Sequence, residues 1–151
     1  MKGIKEKDTT LTDLEIIKKL GKFNLDPCGF SGWDTAKVVN VLPSDGLNIE
    51  WKGRVWLNPP YSNTKEWLDR LSLHGNGVAL VLASVETRWF QECVFNKASS
   101  ILFMKGRPFF FKKDGVTKVK LMRATCLVAY GDSNTQALMN SEIEGKLVVL
   151  T

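Results

Sequence analysis

The sequence predicts a single α/β domain over residues 1–151, with a mostly parallel sheet and an antiparallel hairpin toward its C-terminal end. Three observations lead there. Short β-rich runs alternate with segments of helical spacing from residue 11 to residue 104, the order of a parallel sheet joined by crossover helices. A Lys113-Asp114-Gly115 turn signal then links two runs rich in Phe, Val and Lys, which reads as a hairpin. Finally, 151 residues, 44% hydrophobic and 25% charged, suit one ordinary globular core and leave no room for a second full domain.

The first helix is expected within residues 11–20, where Leu14, Ile17 and Leu20 share a face and Thr12 with Glu15 forms a capping box. Residues 23–26 form a strand running into the turn-rich Pro27-Cys28-Gly29-Phe30-Ser31-Gly32, and a short helix is expected through residues 34–41. Residues 54–57 form the next strand. It stops at Asn58-Pro59-Pro60-Tyr61, because consecutive prolines cannot continue a central strand. Asn63 or Thr64 caps a helix through residue 73, and Gly75 and Gly77 close it before a strand over residues 78–83. A helix over residues 86–98 and a strand over 101–104 follow. Strands over 107–112 and 116–120 flank the Asp-Gly turn, and a further strand covers 124–130.

Several function classes drop out. The longest apolar stretches, residues 78–83 and 126–130, fall far short of the ~20 residues a membrane-spanning helix needs. The first eight residues mix lysines with glycine and acids and lack the apolar segment of a secretory signal, so a cytoplasmic protein is expected. Cys28, Cys93 and Cys126 are odd in number and widely spaced, which fits neither a disulfide framework nor a metal or redox pair. His74 is the only histidine, too little for a multi-histidine metal site, and no metal is expected.

The net charge of +5 is unevenly placed. Between Lys105 and Arg123 lie seven basic residues (Lys105, Arg107, Lys112, Lys113, Lys118, Lys120, Arg123) and one acid, Asp114, so the rest of the chain carries −1. Phe109, Phe110 and Phe111 are interleaved with them. Cations for phosphates and ring faces for unpaired bases are what a nucleic-acid contact needs. Lysines also guard exposed strand edges, and the segment by itself supports either role.

The chemistry is carried by the two loops. In an open α/β sheet, ligands bind outside the carboxyl ends of the strands, where both loops fall. One supplies a carboxylate, Asp26, and glycines that let backbone approach a ligand. The other supplies the amide oxygen of Asn58, a carbonyl fixed between prolines, and the Tyr61 ring. This set suits methylation of an exocyclic amine on a planar ring. The amine lone pair is delocalised into the ring and attacks a methyl sulfonium poorly until its N–H groups bond to fixed acceptors. Asn58 Oδ1 and the Pro59 carbonyl are such acceptors, and Tyr61 can stack on an extruded or unpaired base.

The Asn58-Pro59-Pro60-Tyr61 tetrapeptide resembles the NPPY motif of amino-methyltransferases that use S-adenosyl-L-methionine, and Asp26-Pro27-Cys28-Gly29-Phe30-Ser31-Gly32 resembles their donor loop. With residues 23–28, Asp45-Gly46-Leu47, residues 51–62, Trp89-Phe90 and Lys105-Gly106-Arg107, the chain resembles the small phage DNA N6-adenine methyltransferases from Thr9 to about Tyr130. The resemblance implies a reduced class I, Rossmann-like methyltransferase fold and transfer of a methyl group from S-adenosyl-L-methionine to adenine N6 in DNA. It implies that Asp26, Pro27, Cys28 and Gly29 lie along the donor's methionine moiety, with Thr10 near its carboxylate, while Asp45 and Gly46 lie at its adenosine end. Asn58, Pro59, Pro60 and Tyr61 would clamp the target base. Lys105, Arg107, Lys112, Lys113, Lys118 and Lys120 would contact flanking DNA.

Two features depart from that pattern. Only 25 residues separate Gly32 from Asn58, where a full fold places two strand–helix units, and a parallel crossover alone uses a dozen residues. At least one unit is therefore missing. Thr10 is followed by Leu11 rather than by the proline of the resembling proteins. Methylation of RNA or of a protein glutamine, and nucleic-acid binding without turnover, stand as the alternatives. The state is a monomer or a homodimer.

Overall fold

In the computed structural model, which describes residues 10–150, seven strands form one central sheet with helices on both faces. Leu25–Asp26 (β2) lies between Val38–Val39 (β3) and Val55–Leu57 (β4), parallel to both, and β4 pairs in parallel with Gly77–Leu82 (β5). Beyond β5 the direction alternates. Thr125–Tyr130 (β9) runs against both β5 and Ser100–Met104 (β6), and Gly145–Val149 (β10) runs against β6. The sheet order is β10-β6-β9-β5-β4-β2-β3, so five of the seven strands share one direction.

Alternating side chains divide the core into two layers. Val55, Leu57, Ala79, Val81, Cys126 and Val128 face Trp67, Leu68 and Leu71 of helix Thr64–His74 (α2) together with Phe90, Cys93 and Val94. Trp56, Val78, Leu80, Leu127 and Ala129 face Ile16, Ile17 and Leu20 of helix Leu14–Leu20 (α1), and Leu138 of helix Asp132–Asn140 (α3). α2 ends where expected, on a left-handed Gly75 whose N–H bonds to the Leu71 carbonyl.

Several expectations need correction. α1 is capped by Asp13, whose carboxylate accepts from Glu15 N–H at 3.0 Å, and not by Thr12. Thr12 instead belongs with Leu11 to a short strand, β1. Residues 34–41 hold no helix. Their main chain bonds to the neighbouring strand instead, Val38 N–H to the Asn24 carbonyl and Asn40 N–H to the Asp26 carbonyl, which suits the β-branched Val38-Val39 pair. The helix expected over residues 86–98 contracts to a π-helical Phe90–Phe95, and its five-residue spacing brings the Phe90 and Phe95 rings to 5.0 Å.

The hairpin also sits differently from expectation. Phe109–Phe111 (β7) and Lys118–Lys120 (β8) pair with each other, and β7 pairs with β1, in a separate three-stranded sheet. The chain then continues through β9, α3 and β10, of which the last two were not anticipated. The short 33–57 interval leaves an open groove between α1 and residues 34–37, with Ile17 and Phe23 in its lining.

Candidate active site

Asp26 ends β2 with its side chain buried. Its Oδ1 accepts the Cys28 N–H at 3.0 Å, and its Oδ2 accepts a short hydrogen bond from the Thr35 hydroxyl. Burial raises its pKa to about 6 in spite of those two bonds. No lysine or arginine among the described residues forms an ion pair with it. A buried carboxylate with donors but no cation is suited to a cationic ligand.

Asn58 follows β4, the strand beside β2. Its Nδ2 donates to the Thr10 carbonyl at 3.1 Å and to the Thr12 hydroxyl oxygen at 3.2 Å. A backbone carbonyl only accepts, so these contacts fix which end of the amide is nitrogen and leave Oδ1 as the outward acceptor. The Pro60 carbonyl takes the Thr64 hydroxyl at 3.1 Å, which ties the diprolyl turn to the start of α2. No side-chain donor among the described residues reaches the Pro59 carbonyl. Asp26 and Asn58 line one narrow recess with Thr10, Thr12, Cys28 and Gly29.

A second recess lies beyond the same loop. Cys28, Gly29 and Phe30 line both, and Asn40, Ser44, Gly46 and Trp67 complete the second. The two recesses, which share the Cys28–Phe30 turn as a wall, together make up the trough between Asn58 and Gly46. Asn40, which sequence reasoning missed, holds its sides together: its Nδ2 donates to the Pro27 carbonyl at 3.2 Å and the Ser44 carbonyl at 3.0 Å. Asp45 does not line the trough. Its carboxylate accepts from Leu47 N–H and Asn48 Nδ2, both at 3.0 Å, and caps the 3-10 turn Gly46–Asn48.

The two glycines of the trough are required by close packing. A Cβ on Gly46 would stand 1.8 Å from the Pro27 carbonyl oxygen, and one on Gly29 would meet Val39 at 2.4 Å and Asp26 Oδ2 at 2.9 Å. Gly46→Ala must displace backbone, so it is expected to destabilise by about 2 kcal/mol. For a chain of this size that is a fall of roughly 5 °C in Tm, and a thermal melt matching wild type would contradict the packing. The Cys28 thiol is no nucleophile: burial first, then the Asp26 and Asp45 carboxylates, drive its pKa far up.

The hairpin reaches this site through β1. Thr12 pairs with Phe110 in register, and its carbonyl accepts from Trp33 Nε1 at 2.7 Å while its hydroxyl holds Asn58. The three phenylalanines part company. Phe110 is buried in the core, Phe111 packs at 5.3 Å on Trp33, and only Phe109 is exposed. Lys118 and Lys120 each place Nζ 5.5 Å from the Phe109 ring, so that ring seats two cations. Lys112 and Lys113 open the turn, in which the Gly115 N–H bonds to the Lys112 carbonyl. Lys105 lies 3.9 Å from Glu144 and Arg107 donates to the Leu121 carbonyl, which sets these two at the hairpin's base beside an acid.

The family model for DNA N-6-adenine-methyltransferase (Dam) matches residues 6–140, most of the chain and both strand-end loops. The chain belongs to the DNA N-6-adenine-methyltransferase (Dam) family. Its activity is therefore methyl transfer to the exocyclic amine of adenine in DNA, and the RNA and protein-glutamine alternatives find no support. No curated protein and no solved structure matches it. No helix among the described residues of this Dam-family chain is long and apolar enough to cross a membrane.

Proposed function

We propose that the trough holds S-adenosyl-L-methionine and that the Asn58–Tyr61 turn presents adenine N6 to it, on a reduced Rossmann-like methyltransferase sheet. The parallel half β3-β2-β4-β5 supports that fold, with both loops at strand carboxyl ends. The observation that carries the reading is the joint lining of one recess by Asp26 and Asn58. When bound, the donor supplies an electrophilic methyl group on a sulfonium.

The protein's own residues do the rest. Asp26 meets the donor's ammonium with a charge that no cation among the described residues pairs with. Backbone at Cys28 and Gly29 lies along its methionine moiety, with Thr10 at the carboxylate end, and Ser44 and Gly46 bound the adenosine end. Asn58 Oδ1 and the Pro59 carbonyl accept the two N–H groups of adenine N6, which draws its lone pair out of conjugation. Asn58 is an acceptor and not a base, so the proton released from N6 passes to water. Tyr61 stacks on the base. Little reorganisation is needed, because the acceptors are already braced.

The reading is tested by incubating the protein with labelled S-adenosyl-L-methionine and DNA free of N6-methyladenine, then analysing hydrolysed nucleosides by mass spectrometry. Label in N6-methyldeoxyadenosine is expected, and its absence overturns the reading.

The hairpin tip supplies DNA contacts in this scheme. Each neutralised phosphate contributes about 0.9 to the slope of log K against log salt. Replacing both Lys118 and Lys120 with alanine is therefore expected to flatten that slope by nearly two and to raise the KM for DNA roughly tenfold. Donor affinity should stay at the wild-type value in a calorimetric titration. An unchanged salt slope would move the DNA away from this hairpin.

A further inference from the structure

A third recess, lined in part by Pro59 and Tyr61 of the Asn58–Tyr61 turn, opens at the carboxyl ends of β4 and β5. Pro59, Tyr61, Ser84, Thr87, Trp89 and Arg123 contribute to its lining, and its volume is about 180 Å³. That is below the roughly 300–1,000 Å³ of drug-sized sites, so the recess suits a single planar ring system rather than a larger ligand. Arg123 stands on its rim as an exposed side chain, in the link from the basic hairpin to β9. Its Nη2 donates to Ser84 Oγ at 2.6 Å, and Ser84 is buried.

A guanidinium carries five N–H donors and no acceptor. The bond to Ser84 uses one of them and is the only one described for Arg123, and no carboxylate among the described residues forms an ion pair with it. A cation anchored at one corner, with its fork at the mouth of a recess walled by two aromatic residues, matches one chemistry: a planar base inside and a phosphate at the rim. We infer that Arg123, held by Ser84, clasps the phosphate beside the extruded target nucleotide, with Trp89 walling the base opposite the turn. The inference rests on the DNA reading above and adds to it a contact outside the lysine-bearing tip.

The test compares wild type, Arg123→Ala, Arg123→Lys and Ser84→Ala by equilibrium binding of a DNA duplex at several salt concentrations, and by steady-state methylation of the same duplex. Arg123→Ala is expected to raise the KM for DNA about tenfold and to flatten the salt slope by about one, with kcat within threefold and donor affinity unchanged. Arg123→Lys should restore the slope but only part of the KM, because an ammonium lacks the planar fork. Ser84→Ala should raise KM a few-fold at wild-type slope, the cation being kept and its anchor lost. Wild-type KM and slope in Arg123→Ala, with wild-type turnover present, overturn the clasp alone. Missing wild-type turnover would instead strike the methylation reading, and the binding slopes would still decide the clasp. If Arg123→Ala fails to fold, a wild-type KM in both Arg123→Lys and Ser84→Ala overturns it.

Discussion

Replacing Asn58 with alanine is expected to lower the methyl-transfer rate at least about 100-fold while leaving donor affinity within roughly threefold. The asymmetry follows from where its atoms point. Nδ2 is spent on Thr10 and Thr12, so the substitution deletes the acceptor proposed for adenine N6, whereas the donor's charge partner, Asp26, keeps its own bonds to Cys28 and Thr35. Loss of one preorganised polar partner in an enzyme site typically costs 10²–10³ in rate. Thr12→Val keeps the shape and removes one of the two braces. It is expected to lower kcat by about tenfold, with donor affinity unchanged. Single-turnover transfer of label to DNA, with a calorimetric donor titration beside it, reads both variants. An alanine variant that turns over at a comparable rate would rule out the clamp.

Much of this site was legible because its chemistry is local in sequence. Both loops follow β-rich runs, and a strand that ends in two prolines or in a glycine-rich turn declares where its carboxyl end lies. The apolar runs of β4, β5 and β9 likewise mark buried strands, although runs of that kind do not say which neighbour they pair with. The braces were not legible. Thr12, Thr35 and Asn40 act on residues 46, 9 and 13 positions away, and single polar residues at such separations leave no periodic trace. Residues 34–41 misled because a two-residue strand is too short to show alternation, and its pairing with β2 is decided by tertiary hydrogen bonds. The resemblance set Asp45 and Gly46 at the donor's adenosine end, and in the fold the Asp45 carboxylate caps the 3-10 turn that Gly46 begins.

Asp26→Asn is expected to make the protein more stable and unable to hold its donor. Burial raises the Asp26 pKa from 3.8 to about 6, so the folded chain binds this proton more tightly than the unfolded chain. The group therefore favours folding below about pH 4, and that contribution is lost as pH rises through 6. Above pH 6 the buried carboxylate lowers stability by a constant amount, about 3 kcal/mol at 1.36 kcal/mol per pH unit. Asparagine has the same shape and no charge, and its amide can accept from Cys28 N–H and donate to Thr35. At pH 7.5 the variant should melt about 8 °C higher, and the part of the wild-type stability loss between pH 4 and 6 that comes from Asp26 should vanish. Donor binding moves the other way, since a cationic ammonium needs the ionised acid. Wild-type affinity should weaken about tenfold per unit as pH falls below 6, whereas the variant binds at least tenfold more weakly at pH 7.5 and loses that dependence. Calorimetric melts and donor titrations across pH 4–8 measure both. A variant that keeps wild-type donor affinity would remove Asp26 from the donor site, and one less stable than wild type at pH 7.5 would mean that its carboxylate is stabilised in the fold.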